Sequence, residues 1–132
     1  MPEPKAKRFE YGISLDRDGR ATSEGATLEL PQTWAPEHLV LGGLLHCSLT
    51  SLRHHARRAG ISVEAEATAH GTVSKRETDG RYAFVEIECR LDVSLQPKPA
   101  EEAVAELLAR AERDCFVGAS LRPSPTYVWN VA

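Results

Sequence analysis

The sequence predicts a single α+β domain over residues 1–132 with the element order ββαββαβ. Three observations carry that reading: two pairs of segments in which apolar and polar residues alternate, a segment of helical spacing after each pair, and a short closing strand pattern. At 132 residues, 42% hydrophobic and 27% charged, the chain has the size and composition of one globular domain with one core. It contains no internal repeat, low-complexity tract or linker long enough to divide it.

Taken in order, "RFEYGISL" (8–15) alternates weakly, "DRDG" (16–19) supplies turn residues, and "RATSEGATLEL" (20–30) returns as a second extended segment. Pro31 and Pro36 bracket a loop. From Glu37 to Ala59 the apolar spacing is helical, and Gly60 is a natural stop. "SVEAEATAHGTVSKRE" (62–77) and "RYAFVEIECRLDVSL" (81–95) alternate with period two around an Asp79-Gly80 turn, which predicts a second hairpin. "PAEEAVAELLARAERD" (99–114) opens with proline and acids and carries leucines at helical spacing, and "TYVWNVA" (126–132) reads as a last strand.

Charge and composition narrow the function classes. The formal net charge of −3 gives no global positive field for nucleic acid. The one basic run, "RHHARR" (53–58), is explained as the end of a helix, where cations complement the negative end of the dipole. The N-terminal "MPEPKAKRFEY" lacks the apolar stretch of a signal peptide, and no window approaches the roughly 18 apolar residues of a membrane span, so a soluble, cytoplasmic protein is expected. Three cysteines without an export signal do not read as a disulfide framework. Neither CxxC nor zinc-type spacing nor a glycine-rich phosphate loop is present.

The three thiols differ in setting. Cys89 shares the parity of Val85, Ile87, Leu91 and Val93, so all five side chains are expected on the core face of one strand, with Cys89 an inert buried thiol. Around the long helix, Leu41, Leu44, Leu45, Ser48, Leu49, Leu52 and Ala56 form the stripe that faces the sheet. Cys47 lies nearly opposite, among Gly43, Thr50, Ser51 and His54. Glycines at 42 and 43 are costly inside a helix, by about 1 kcal/mol each, and suggest close approach of another backbone, from this chain or a partner subunit. These residues leave open whether Cys47 packs or reacts. Cys115 follows Asp114, which could cap a helical turn through "CFVGASL" (115–121); a small core residue and a reactive thiol both fit there.

Together these residues resemble the family of osmotically inducible protein C and the organic hydroperoxide resistance proteins (OsmC/Ohr), bacterial thiol-dependent peroxidases. The likeness rests on "RDGR" (17–20) at a turn between the first strands, "PE" (36–37) ten residues before a mid-helix cysteine, the glycine-bearing long helix, and a second cysteine after the next helical segment. It implies an OsmC-like fold of antiparallel sheets against long central helices, in an intertwined homodimer with the active sites at the subunit interface. It further implies that Cys47 is the peroxidatic cysteine and Cys115 the resolving one. Arg17 would contact the reactive sulfur and Glu37 would orient that arginine. The reaction so implied reduces an organic hydroperoxide to an alcohol without metal, haem or flavin, and a dithiol reductant, by family analogy a lipoylated protein, reopens the disulfide. Where the family carries a small residue before the first cysteine and a proline after the second, this chain has His46 and Phe116.

Two other functions compete with the peroxidase. One is a non-catalytic dimeric module on the same fold that holds a lipid-like ligand. The other is a metal site drawn from His46, Cys47, His54 or His55, which point in several directions round a helix and lack a completing carboxylate.

Overall fold

The computed structural model describes residues 6–132; the first five positions, where the reading for a leader peptide begins, lie outside them. The chain groups into two compact units, one ending at Ala35 and one spanning Pro36–Ala132. Among the described residues no helix is long and apolar enough to cross a membrane.

The first unit is an antiparallel meander of β1 (Ser14–Leu15), β2 (Arg20–Ser23) and β3 (Ala26–Glu29). The extended segment expected over 20–30 is thus itself a hairpin. Ser23 faces Ala26, and Glu24 and Gly25 between them both take positive φ, 51° and 75°. Two left-handed residues are what a tight two-residue hairpin turn requires, but glutamate is not among the residues that advertise it. The same turn shortens β1. Leu15 pairs with Ala21 and Ser14 with Thr22, after which β2 has one residue left, and Ser23 uses its side chain to reach the Gly12 carbonyl at 2.6 Å.

The second unit holds α1 (Pro36–Arg58), β4 (Ser62–Lys75), β5 (Tyr82–Gln96), α2 (Glu101–Arg113), α3 (Phe116–Ser120) and β6 (Thr126–Val131). Both long helices and the second hairpin lie within about two residues of their expected limits. Proline at the first position of α1, Glu37 in its first turn and Arg57 and Arg58 in its last suit the free amides and the dipole at the helix ends. At the hairpin turn the Asp79 carboxylate accepts from the Arg81 amide at 3.1 Å and from the Arg76 guanidinium. β4 and β5 pair antiparallel, but β6 runs parallel to β5, from Thr126 opposite Glu88 to Val131 opposite Val93. A parallel neighbour needs a crossover, and α2 with α3 is that crossover. The sheet is therefore mixed, not antiparallel throughout.

The core of this unit joins Leu44, Leu52 and Ala56 of α1 to Ile87, Cys89, Leu91, Val93 and Leu95 of β5 and to Leu107 and Ala111 of α2. Strand parity holds from Ile87 onward and fails at Val85, which is exposed. The cause is a bulge: Thr72 faces Glu86 and Val73 faces Phe84, so Val85 has no partner and the alternation slips by one. Phe84 packs towards the core instead.

Cys89 is fully buried, and burial pushes its thiol up to about 11. It is the least nucleophilic kind of cysteine. Cys89→Ala is expected to cost about 1 kcal/mol through the small cavity it leaves, seen as a modestly lower melting temperature, with the reactivity of the other two thiols unchanged in a timed thiol titration.

Candidate active site around Cys47 and Cys115

Cys47 occupies the middle of α1, on the side turned towards the junction between α2 and α3. Its side chain is half-buried, and the Val117 amide of α3 donates to its sulfur at 3.5 Å. The Cys115 thiol is a hydrogen-bonding neighbour of the same sulfur, and all three cysteines are free thiols. Burial is the main influence on Cys47 and pushes its thiol up; the Val117 amide opposes this, and Cys115 adds to it. Within the 36–132 unit, then, Cys47 lies close to a second thiol, and burial favours its neutral form.

Cys115 is completely buried. It is the residue that caps α3, its own sulfur accepting from the Gly118 amide at 3.3 Å. The expectation that Asp114 would cap this turn is not met, because its carboxylate is otherwise engaged. Asp114 ends α2, where it accepts from Arg113 Nε at 3.0 Å and lies 2.7 Å from His55 Nε2 on α1. Arg113 foremost, with help from His55, holds the Asp114 carboxyl below the usual carboxylate range. The His55 contact ties the last turns of α1 to the residue before Cys115 and so fixes where that cysteine sits.

Two residues read from the sequence as ordinary complete the surroundings of Cys115. Ser48, placed on the core stripe, is fully buried with its Oγ 3.5 Å from Cys115 Sγ and 3.1 Å from the Tyr127 hydroxyl. The available signal was a lone hydroxyl in a stripe of leucines, since a buried hydroxyl needs a partner. Ser51, one turn along, is also buried, and its Oγ has no hydrogen-bond partner among the described residues. Glycines 42 and 43 are not explained by a close backbone within the 36–132 unit, where nothing lies within 4 Å of a Cβ built on either.

The other two residues of interest are placed as follows. Glu37 lies exposed in the first turn of α1, where free amide groups favour a carboxylate. Arg17 belongs to the first unit, in the turn between β1 and β2. That turn is built on Asp16, whose carboxylate accepts from the Asp18 and Arg20 amides at 2.9 and 3.0 Å and from Arg20 Nε at 3.0 Å. Arg20 is thereby anchored, while among the described residues of its unit Arg17 makes no hydrogen bond or ion pair. Of the residues weighed as metal ligands, His46 is exposed and His55 is committed to Asp114. Among the described residues no three His, Cys, Asp or Glu side chains converge.

What the chain itself brings together is a half-buried thiol, a fully buried thiol and a set of donors around both. Two-electron oxidation of the outer sulfur would place an electrophile near the inner thiol, an arrangement from which a disulfide can form.

A family model described as OsmC-like protein matches residues 30–130. Solved structures share the fold across nearly the whole chain. An OsmC-like protein from Mycoplasma pneumoniae is 19% identical over 97% of this chain and 98% of its own, with a TM-score of 0.70. An organic hydroperoxide resistance protein from Elizabethkingia anophelis is 19% identical over 97% and 99%, with a TM-score of 0.67. The organic hydroperoxide resistance protein OhrB of Bacillus subtilis is 23% identical over 93% and 96%, with a TM-score of 0.57. No curated protein matches the chain.

Proposed function

This chain belongs to the OsmC-like protein family, and from that premise we propose that it is a cysteine-based peroxidase, one OsmC-like domain acting on organic hydroperoxides. The observation that carries the reading is the pairing of Cys47 with Cys115: of three thiols, the half-buried one has the α3 amide on its sulfur and a second thiol in hydrogen-bonding reach. Names borne by structures of the same fold, organic hydroperoxide resistance proteins, favour this substrate class.

In the first step the Cys47 thiolate attacks the terminal peroxide oxygen. The O–O bond breaks, the alkoxide takes up a proton and leaves as the alcohol, and the sulfur becomes a sulfenic acid, oxidised by two electrons. In the second step Cys115 attacks that sulfur, and an S–S bond replaces the S–O bond as water departs. A dithiol, by family resemblance on a lipoylated protein, reduces the disulfide and closes the cycle. Arg17 supplies the cation at the reactive sulfur and Glu37 orients it, as the resemblance implies. A second copy of the chain is part of this reading. The first unit exposes large apolar side chains, among them Tyr11, Ile13, Leu15 and Leu28, that a second copy of the chain would cover. A cytoplasmic homodimer that uses no metal or organic cofactor accommodates all of these features.

Cys115→Ser tests the pairing. This variant is expected to react once with cumene hydroperoxide and then stop, with Cys47 persisting as sulfenate or over-oxidising to sulfinate. Mass spectrometry after a peroxide pulse reads it as one or two added oxygens on the peptide containing Cys47. An unmodified Cys47, or unimpaired turnover, would overturn the proposal.

A further inference from the structure

We propose that Ser48 and Tyr127 form a proton relay that serves the resolving step, holding the Cys115 sulfur in place and carrying its proton out of the core as it attacks. The proposal rests on the peroxidase reading above and deepens it at the second thiol.

The problem it answers is one of burial. Cys115 has no exposed surface, yet to become the nucleophile it must lose a proton, and a proton cannot leave an apolar core without a path of groups that both accept and donate. The structure contains one such path. From Cys115 Sγ the Ser48 hydroxyl is 3.5 Å away, and from Ser48 Oγ the Tyr127 hydroxyl is 3.1 Å away. In both contacts either atom can be the donor, so the chain can run in either direction. Tyr127 stands at its far end beside a surface groove between α2, α3 and β6 that it lines together with Leu108, Gly118 and Trp129. The Cys115 sulfur keeps a separate fixed donor, the Gly118 amide at 3.3 Å. That amide holds the sulfur throughout, while the hydroxyl chain handles the proton.

Two features show that the path is built. Gly118 makes room for it: a Cβ there would lie 3.0 Å from the Tyr127 hydroxyl and 3.3 Å from Cys115 Sγ, close enough that both would have to give by a few tenths of an ångström. Tyr127 is also kept as a phenol. Burial foremost pushes its ionisation well up, partly offset by Ser48, so at neutral pH its hydroxyl retains the hydrogen a relay must pass on. A hydroxyl that gains one hydrogen as it gives up another never becomes a phenolate.

The step balances as follows. The Cys115 S–H gives its proton to Ser48, Ser48 passes its own to Tyr127, and Tyr127 passes one to water in the groove. The Cys115 thiolate attacks the Cys47 sulfenic sulfur, the S–O bond breaks, and the hydroxide released takes a proton from solvent to leave as water. Sulfenic acid plus thiol thus gives disulfide plus water, and no further oxidant or reductant is consumed.

Rapid-mixing experiments on the full-length reduced protein separate this step from the one before it. Sulfenate formation is followed by trapping with dimedone, and disulfide formation by the loss of two thiols per chain, in wild type, Tyr127→Phe and Ser48→Ala. Both variants are expected to form sulfenate at the wild-type rate and to form the disulfide about tenfold more slowly at pH 7, so that trappable sulfenate accumulates. The deficit should shrink as the pH rises to 9, because hydroxide then takes the proton during local openings that expose the Cys115 thiol, a slow route that bypasses the relay; a loss of packing alone would leave it constant. Tyr127→Phe removes only an oxygen, so it answers the question even where Ser48→Ala disturbs the fold. Disulfide formation at the wild-type rate in Tyr127→Phe, or a deficit independent of pH, would overturn the relay and leave the peroxidase reading standing. Absence of both sulfenate and thiol loss in the wild type after the peroxide pulse would overturn the peroxidase reading and the relay with it.

Discussion

Replacing Cys47 by serine is expected to abolish consumption of cumene or tert-butyl hydroperoxide, a loss to the uncatalysed rate, while the fold remains intact. Serine is nearly isosteric with cysteine, and the setting of Cys47 in α1 asks little more of it than a small polar atom facing the Val117 amide at 3.5 Å. What serine lacks is an accessible anion, since the thiolate and not the neutral group attacks peroxide. The outcome is read from peroxide loss by a colorimetric assay, with circular dichroism and melting temperature as the control on folding. Turnover within tenfold of the wild type in a correctly folded variant would remove Cys47 from the mechanism. Burial pushes the Cys47 thiol up, so with no other influence its thiolate fraction would grow about tenfold for each pH unit across the neutral range.

The Arg17→Ala variant is expected to lose about a hundredfold or more of the peroxide reduction rate, the scale set by deleting a single electrostatic contact to a reacting anion. Cys47 lies more than a turn from either end of α1, where the helix dipole has faded, and its neighbours Cys115 and the apolar core favour the neutral thiol. The Val117 amide favours the thiolate in part, and a fixed cation would add to it at pH 7. Arginine suits the task because it stays charged when desolvated and its planar fork can engage sulfur and peroxide oxygens together. The turn that carries Arg17 anchors Arg20 through Asp16 and leaves Arg17 without a hydrogen-bond or ion-pair partner among the described residues of its unit. The variant should therefore alkylate at Cys47 more slowly at pH 7 and with a steeper rise towards pH 9 than the wild type. Arg17→Lys should restore part of the rate, and Glu37→Gln should do less harm than either, because it affects only how the cation is held. Unchanged alkylation and peroxidase profiles in Arg17→Ala would refute the role.

The sequence by itself determined the elements whose signals are local. The long helix from Pro36, the hairpin around Asp79 and Gly80, and the helix after Pro99 each carry their periodicity and end signals within one segment, and each lies where those signals place it. The family likeness was legible for the same reason: cysteine, arginine and Pro-Glu spacings survive in a string of letters. Other features required the chain to meet itself. Nothing in "TYVWNVA" says that β6 lies parallel to β5, since the direction of a strand is set by the crossover that delivers it. The slip at Val85 belongs to the pairing of two strands and not to either alone. Asp114 looked like a cap for the turn after it until His55, 59 positions away in sequence, claimed its carboxylate. Ser48 and Tyr127 are separated by 79 positions and Ser48 and Cys115 by 67, so their alignment as a chain of hydroxyls beside a thiol is a property of packing. Periodicity assigns a residue to a face; only the folded core decides which polar atoms on that face find one another, because a buried hydroxyl must be satisfied by whatever the tertiary structure brings within reach.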